Sequence, residues 1–276
     1  MTQHSPADAP CPPRRWVPSP LLVASGALHA GAGVATLIRP RMWPWTLGAV
    51  VLNHAVLTAA GLWPRSRVLG PNWTHLPAAS AGRGEVAITI DDGPDPHVTP
   101  QVLTQLAAHN VRASFFCVGE RVERYPELAQ EIVRCGHAIE NHSQRHRHLF
   151  SLLGPGAMHA ELAQAQDSIA RATGSTPSFF RAPAGLRNPF LEPVLCRLKL
   201  RLASWTRRGF DTVSGDAISV YRRLAHSLRG GDILLLHDGN AACARGGTPV
   251  ILEVLPRLLE TLAVRRLQPI TLRAAL

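Results

Sequence analysis

The run Glu85-Val86-Ala87-Ile88-Thr89-Ile90-Asp91-Asp92-Gly93-Pro94-Asp95-Pro96 alternates apolar side chains at Val86, Ile88 and Ile90, then stops at two carboxylates and a Gly/Pro cluster. Alternation of this kind is the signature of a buried strand, and Gly93 to Pro96 end the pairing and turn the chain. Asp91 and Asp92 therefore stand at a strand end. Neighbouring residues there point in different directions, so one carboxylate can hold a metal while the other faces whatever binds beside it.

Further along, His142-Ser143-Gln144-Arg145-His146 offers two imidazoles four residues apart. In a helical turn that spacing brings side chains within roughly 5–6 Å, close enough to converge on one ion. Asp92, His142 and His146 together would give one carboxylate and two imidazoles. Such a set suits zinc or a neighbouring divalent ion, and three protein ligands leave a position open for water, which could become a hydroxide near neutral pH. Taken singly the pieces say little, since Asp-Asp-Gly also reads as a solvated turn and His-x3-His as a surface pair. Two downstream stretches add weight: Phe179-Phe180-Arg181-Ala182-Pro183-Ala184-Gly185 and Asp232-Ile233-Leu234-Leu235-Leu236-His237-Asp238 each place polar residues after a short apolar run.

With Ala113-Ser114-Phe115-Phe116-Cys117-Val118-Gly119, these motifs follow one another in an order that resembles the polysaccharide deacetylase family, whose catalytic domain is also called the NodB homology domain, a family 4 carbohydrate esterase type. The resemblance runs from about Glu85 to Leu272. It implies that Asp91 is the general base, that Asp92, His142 and His146 hold the metal, and that His237 is the general acid. Arg181 matches the arginine that holds the base carboxylate ionised and oriented, as the fork geometry of a guanidinium would allow. Asp211 matches the partner of the acid histidine, Leu235 the apolar wall of the acetyl pocket, and Ala184 the position whose backbone N–H helps hold the oxyanion. The implied activity is metal-dependent removal of an N-acetyl group from an amino sugar in a polysaccharide or lipid-linked glycan, with Zn2+ as the expected ion and Co2+, Ni2+, Mn2+ or Fe2+ as alternatives.

Two positions depart from the family pattern. Ala184 and Thr212 stand where the family usually carries aromatic residues that line the sugar groove. A wider groove would suit a lipid-linked sugar or another bulky N-acylated molecule, unless Trp205 or Phe190 fills the space. Hydrolysis of a non-carbohydrate C–N amide bond is the alternative reading. A retired active site on a membrane-bound binding protein fits less well, because Asp91, Asp92, His142, His146, Arg181 and His237 are all retained.

Upstream of the resemblance, Leu21 to Ile38 and Trp45 to Trp63 lack any Asp, Glu, Lys or Arg. Each would reach roughly 27–28 Å as a helix, near the thickness of a bilayer core. Trp16, Trp43, Trp45 and Trp63 fall at the ends of these runs, where interfacial aromatics belong. A two-helix transmembrane hairpin over residues 19–64 follows, between an N-terminal tail at 1–18 and a linker at 65–84, with the deacetylase-like domain at 85–276. A cleaved signal peptide fits worse, since a second span of similar length follows the first. Arg14, Arg15, Arg65 and Arg67 outside the hairpin, against Arg39 and Arg41 in its turn, weakly favour a cytoplasmic catalytic domain on a bacterial-type inner (cytoplasmic) membrane. The five cysteines, Cys11, Cys117, Cys135, Cys196 and Cys243, are an odd set without paired metal spacing and argue for free thiols.

Strands alternating with helical stretches at Glu123 to Arg134, Ala160 to Ala172 and Ile251 to Val264 give an α/β class with parallel architecture. Catalytic residues at successive strand ends read as a barrel mouth. The resemblance makes this a distorted (β/α) barrel with fewer than eight complete units. The formal charge of +10 comes almost wholly from scattered arginines without an interleaved aromatic platform, which argues against a nucleic-acid partner and for anionic lipid or glycolipid surfaces. Arg145, Arg147, Arg207 and Arg208 lie near the motifs and could meet substrate phosphate or simply be solvated. His97, His137 and His148 read as structural or surface residues. No obligate protein partner is expected.

Overall fold

Strand β1, Glu85–Asp91, runs through the centre of a parallel sheet in a computed structural model that describes residues 14–276. Its neighbours are β2 (Ser114–Cys117), β3 (Ala138–Asn141), β4 (Phe179–Phe180) and β5 (Arg201–Leu202) on one side. On the other lie β7 (Ile233–His237) and β6 (Arg207–Arg208), and β8 (Gln268–Ile270) pairs with the first residues of β1. The order β5-β4-β3-β2-β1-β7-β6 is parallel throughout. Parallel strands need crossovers, and the helices that supply them cover the outer face.

The period of two decides what each residue of β1 does. Val86, Ile88 and Ile90 pack into the outer core beneath the covering helices, with Phe115, Ile139, Leu234 and Leu236 from neighbouring strands. Ala87 points the other way, into an inner cluster with Phe116, Phe179, Ala203 and Ile233. Thr89 and Asp91 continue that inner face upward, so the barrel interior changes from apolar to polar along a single strand. The register Thr89↔Leu235 and Asp91↔His237 puts the next strand's functional side chains at the same height.

The barrel is open, as a distorted one should be. Between β5 and β6 the chain makes no ladder; Trp73 forms a bridge to Ala203, and the Thr206 hydroxyl donates to the Thr74 carbonyl at 2.8 Å. Trp73 and Thr74 belong to the stretch 65–84, expected as a linker. Leu69 and Leu76 in it are buried, and Leu76 N–H donates to the Gly231 carbonyl at 2.8 Å, so this stretch packs as part of the domain.

In chain order the helices are α1 (Pro20–Ile38), α2 (Trp43–Leu62), α3 (Ala78–Gly82), α4 (Thr99–Ala108), α5 (Gly119–Arg124), α6 (Pro126–Arg134), α7 (Pro155–Thr173), α8 (Leu191–Arg197), α9 (Ala217–Ala225) and α10 (Val250–Val264). The helix expected over Glu123 to Arg134 is in fact broken at Tyr125, whose φ of −132° and ψ of 59° leave the helical region. The cause is Pro126, which disfavours helical geometry in the residue before it.

Helices α1 and α2 form a hairpin through a single tight turn at Pro40–Met42. Both are long and apolar enough to cross a membrane. Polar side chains meet inside the hairpin: Asn53 Nδ2 donates to Ser25 Oγ at 2.8 Å, the Thr36 and Thr46 hydroxyls lie 2.8 Å apart, and His29 and His54 approach at 3.3 Å. Val23, Val34, Leu37, Trp45 and Leu52 face outward. The end of α2 rests on the domain, where Arg187 N–H donates to the Gly61 carbonyl at 3.1 Å and Ser204 Oγ to the Pro64 carbonyl at 2.6 Å. Cys117, Cys135, Cys196 and Cys243 are unpaired, while Cys11 lies outside the described residues.

Candidate active site

Asp91 is the last residue of β1 and faces the barrel interior; Asp92 follows with a φ of 75°, which redirects its carboxylate. Aspartate is one of the few residues that tolerates this left-handed conformation. Asp92 Oδ1 lies 3.1 Å from Nε2 of His142 and 3.1 Å from Nε2 of His146. One ligand atom from each of these three residues lies within 4.8 Å of the others. Asp92 Oδ1 is buried and has no aligned hydrogen-bond donor. An orphaned carboxylate oxygen converging with two imidazole nitrogens is the donor set that a divalent cation would satisfy, so the residues fit a metal.

The two histidines do not converge through a helical turn, contrary to expectation. Residues 142–146 form a loop after β3, in which Ser143 and His146 take φ values of 64° and 48°. Ser143 Oγ accepts from the His146 N–H at 3.0 Å and holds the loop closed. His142 Nδ1 lies 2.8 Å from the Arg181 carbonyl, so that ring nitrogen donates and Nε2 is left free for a ligand role. Burial opposes ionisation of Asp92, but the approach of His142 and His146 outweighs it and holds the carboxyl well below the usual range. For His142, burial works against the charged ring, yet the carboxylates of Asp91 and Asp92 prevail and raise its pKa.

Arg181 is the largest fully buried side chain in the domain. Its NH1 donates to Asp91 Oδ1 at 2.6 Å and to Thr89 Oγ1 at 2.8 Å, its NH2 to the Ser204 carbonyl at 2.7 Å and its Nε to the Ala203 carbonyl at 3.2 Å. The guanidinium also lies over the Phe116 ring, 4.1 Å from its centroid. This anchoring fixes one oxygen of Asp91 and leaves the other beside His142, 3.9 Å from Nε2.

Across the cavity, Asp211 grips His237 at two points. Its Oδ1 accepts from His237 Nδ1 at 2.9 Å and its Oδ2 from the His237 backbone N–H at 2.7 Å. Burial disfavours protonated His237, but the hydrogen bond and charge of Asp211 outweigh it and raise the ring's pKa. The geometry thus unites Asp91, Asp92, His142, His146, Arg181, Asp211 and His237.

Asp91, Asp92, His142, His146 and His237 line a cavity of about 430 Å³ together with Ala184, Thr212, Leu235 and Trp205, while Arg181 and Asp211 stand behind Asp91 and His237. Ala184 sits with a φ of 54° beside the fully packed Gly185. Trp205 forms part of the wall, whereas Phe190 is 48% exposed and takes no part in it. Of the four arginines singled out above, Arg145 pairs with Glu120, Arg147 with Glu161 and Arg207 with Asp232, while Arg208 reaches the cavity. His148 also stands at the cavity, on its exposed side. His137 is buried away from it and His97 lies on the surface, as expected.

One neighbour of the metal-type cluster was not foreseen: Asn240 Nδ2 donates to Asp92 Oδ2 at 2.9 Å. Its only sequence signal is its place three residues after His237, in the loop that leaves a strand end.

A family model described as polysaccharide deacetylase matches residues 78–203. A peptidoglycan-N-acetylglucosamine deacetylase from Bacillus cereus is 28% identical over 179 residues, 64% of this chain and 64% of that protein, so the chain spans just under two thirds of that relative. A chitooligosaccharide deacetylase from Azorhizobium caulinodans is 32% identical over 197 residues, 68% of this chain and 93% of that protein. Among solved structures, a family 4 carbohydrate esterase from Streptomyces lividans in complex with acetate superposes with a TM-score of 0.61 at 31% identity, covering 67% of this chain and 91% of that one.

Proposed function

Because this chain belongs to the polysaccharide deacetylase family, we propose that it is a metal-dependent hydrolase that removes N-acetyl groups from an amino sugar of a polysaccharide or lipid-linked glycan and releases acetate. The observation that carries this reading is the convergence of Asp92, His142 and His146 beside Asp91 on one side and His237 on the other, all open to one cavity. Relatives named as peptidoglycan-N-acetylglucosamine and chitooligosaccharide deacetylases support a glycan substrate.

Asp92, His142 and His146 would hold the ion, with zinc the best match to one carboxylate and two imidazoles and Co2+, Ni2+, Mn2+ or Fe2+ as alternatives. When bound there, a divalent cation supplies Lewis acidity to the amide carbonyl and to water. Asp91, oriented by Arg181, takes the proton from the attacking water as the new C–O bond forms. The backbone N–H at Ala184 helps stabilise the oxyanion, and Leu235 walls the acetyl methyl. His237, kept protonated by Asp211, gives its proton to the departing nitrogen as the C–N bond breaks. Acetate and the free amine leave.

We further place α1 and α2 across a bacterial-type inner membrane as a multi-pass anchor. Their inward polar pairs and outward apolar side chains support this, since interhelical hydrogen bonds stabilise helices in lipid. Four flanking arginines, Arg14, Arg15, Arg65 and Arg67, against Arg39 and Arg41 in the turn favour the catalytic domain on the cytoplasmic side. A second reading, hydrolysis of a non-carbohydrate amide, is favoured by the ring-free wall at Ala184 and Thr212.

The test is acetate release by full-length protein in lipid nanodiscs, with N-acetylated chito-oligosaccharides and a lipid-linked N-acetyl sugar as substrates. Chelation should stop turnover and added zinc should restore it, while Asp92→Ala loses both metal and activity. Turnover by metal-free Asp92→Ala would sink the scheme; release of amine only from non-sugar amides would favour the second reading.

A further inference from the structure

Arg208 closes β6 in register with Leu235, and its side chain enters the same cavity as Asp91 and His237. Its guanidinium carbon lies 5.4 Å from the Trp205 ring centroid and 4.9 Å from that of Phe210, so two aromatic rings hold it in place. Arg145, Arg147, Arg181 and Arg207 each have a carboxylate within ion-pair distance. Arg208 has none among the described residues, and its Nε is buried without an acceptor. Arg208 is half-buried: its Nε has neither water nor a protein acceptor, and no carboxylate among the described residues neutralises the charge at its terminal nitrogens, so the side chain can still take an anion.

A Cβ at Gly185 would lie 2.6 Å from Trp205 Cη2 and 2.7 Å from Pro64 Cβ, so the Trp205 ring edge, the cavity loop and the chain leaving α2 meet at one point. Trp205 therefore spans from the foot of the hairpin to Arg208. The cavity wall at Gly185 and Trp205 thus abuts the chain that leaves α2.

We propose that Arg208 is an anion subsite for a phosphate group carried by the N-acylated sugar itself, as in a sugar joined through phosphate to a membrane lipid. A guanidinium that packs its carbon against two aromatic rings keeps its N–H fork for phosphate oxygens, the geometry such a group favours. Trp205 supplies one aromatic wall, and the small side chains of Ala184 and Thr212 line the cavity beside it. This deepens the hydrolase reading and rests on it for the identity of the sugar.

Isothermal titration of full-length protein in phosphatidylcholine nanodiscs, with N-acetylglucosamine 1-phosphate and with N-acetylglucosamine, reads the preference without turnover. Wild type binds the phosphorylated sugar more tightly, and Arg208→Gln lowers the ratio of the two affinities about ten-fold or more. Arg208→Lys keeps the charge and retains part of the preference. Equal wild-type affinity for the two probes, or an unchanged ratio in folded Arg208→Gln, overturns the assignment. Anionic lipid headgroups share this chemistry. If nanodiscs containing phosphatidylglycerol suppress sugar phosphate binding in an Arg208-dependent way, the occupant is a headgroup and the substrate assignment falls; no suppression supports it. A protein that shows the preference yet releases acetate from neither probe keeps the subsite and defeats the hydrolase reading alone.

Discussion

Asn240 reaches Asp92 at Oδ2, the oxygen turned away from the two histidines, and thereby sets the direction of Oδ1. A carboxylate ligand held from behind loses less freedom when it meets an ion, and outer partners of this kind affect metal affinity about 10- to 100-fold. Asn240→Ala should therefore raise the zinc dissociation constant by about that factor, read by competition with a chromogenic chelator while circular dichroism confirms folding. An unchanged constant would reduce Asn240 to a loop residue. Asp91, Asp92, Arg181 and His237 were legible because each ends an apolar run, and the run fixes both its place and its facing. Asn240 sits in the irregular stretch Asp238-Gly239-Asn240-Ala241, where no periodicity tells which way a side chain points. The His142 and His146 pair was legible as residues but not as geometry, since left-handed Ser143 and His146 do the work assigned to a helical turn.

Strands read more clearly in the sequence than their surroundings do. The alternation of β1 foretold its buried face, but both faces are covered, and Ala87 and Thr89 serve the barrel interior instead of solvent. The stretch 65–84 read as a linker and barrel entry because residues 70–84 are rich in Pro, Ala and Ser, and Leu69, Trp73 and Leu76 indeed pack there against the sheet's open seam. The end of α2 has a similar hidden role. Gly61 lies so close to the Arg187 carbonyl that a Cβ there would overlap this backbone atom, and Arg187 belongs to the loop that carries Ala184. Gly61→Ala must push that loop or the helix end aside, a strain of about 1–3 kcal/mol. We expect kcat/KM for acetate release to fall several-fold, while zinc affinity holds because its ligands come from the loops after β1 and β3. Unaltered kcat/KM would show that the hairpin's foot and the cavity wall move independently.

The chain joins two kinds of packing, with polar pairs between the hairpin helices and apolar layers inside the barrel. The stability of the catalytic domain rests on the barrel, and one buried histidine makes that stability depend on pH. His137 Nδ1 accepts a hydrogen bond from the Ala113 N–H at 3.1 Å, and its ring meets Phe115 edge-on at 5.4 Å. Acceptance requires a neutral ring. Burial, helped by the charge of Arg112, pushes its pKa down to about 4, below the ordinary value of 6.5. Between those values the unfolded chain binds a proton that the folded one refuses, so stability rises with pH across this window. The contribution is complete above about pH 6.5 and is lost as pH falls toward about 4, amounting to about 2–3 kcal/mol. Asparagine at this position can offer an oxygen where Nδ1 stood and cannot titrate. Urea unfolding of wild type and His137→Asn in nanodiscs, followed by tryptophan fluorescence, should thus show wild type losing about 2–3 kcal/mol more between about pH 7 and pH 4. Parallel profiles would remove His137 as the cause and leave the acid sensitivity of the fold with its carboxylates.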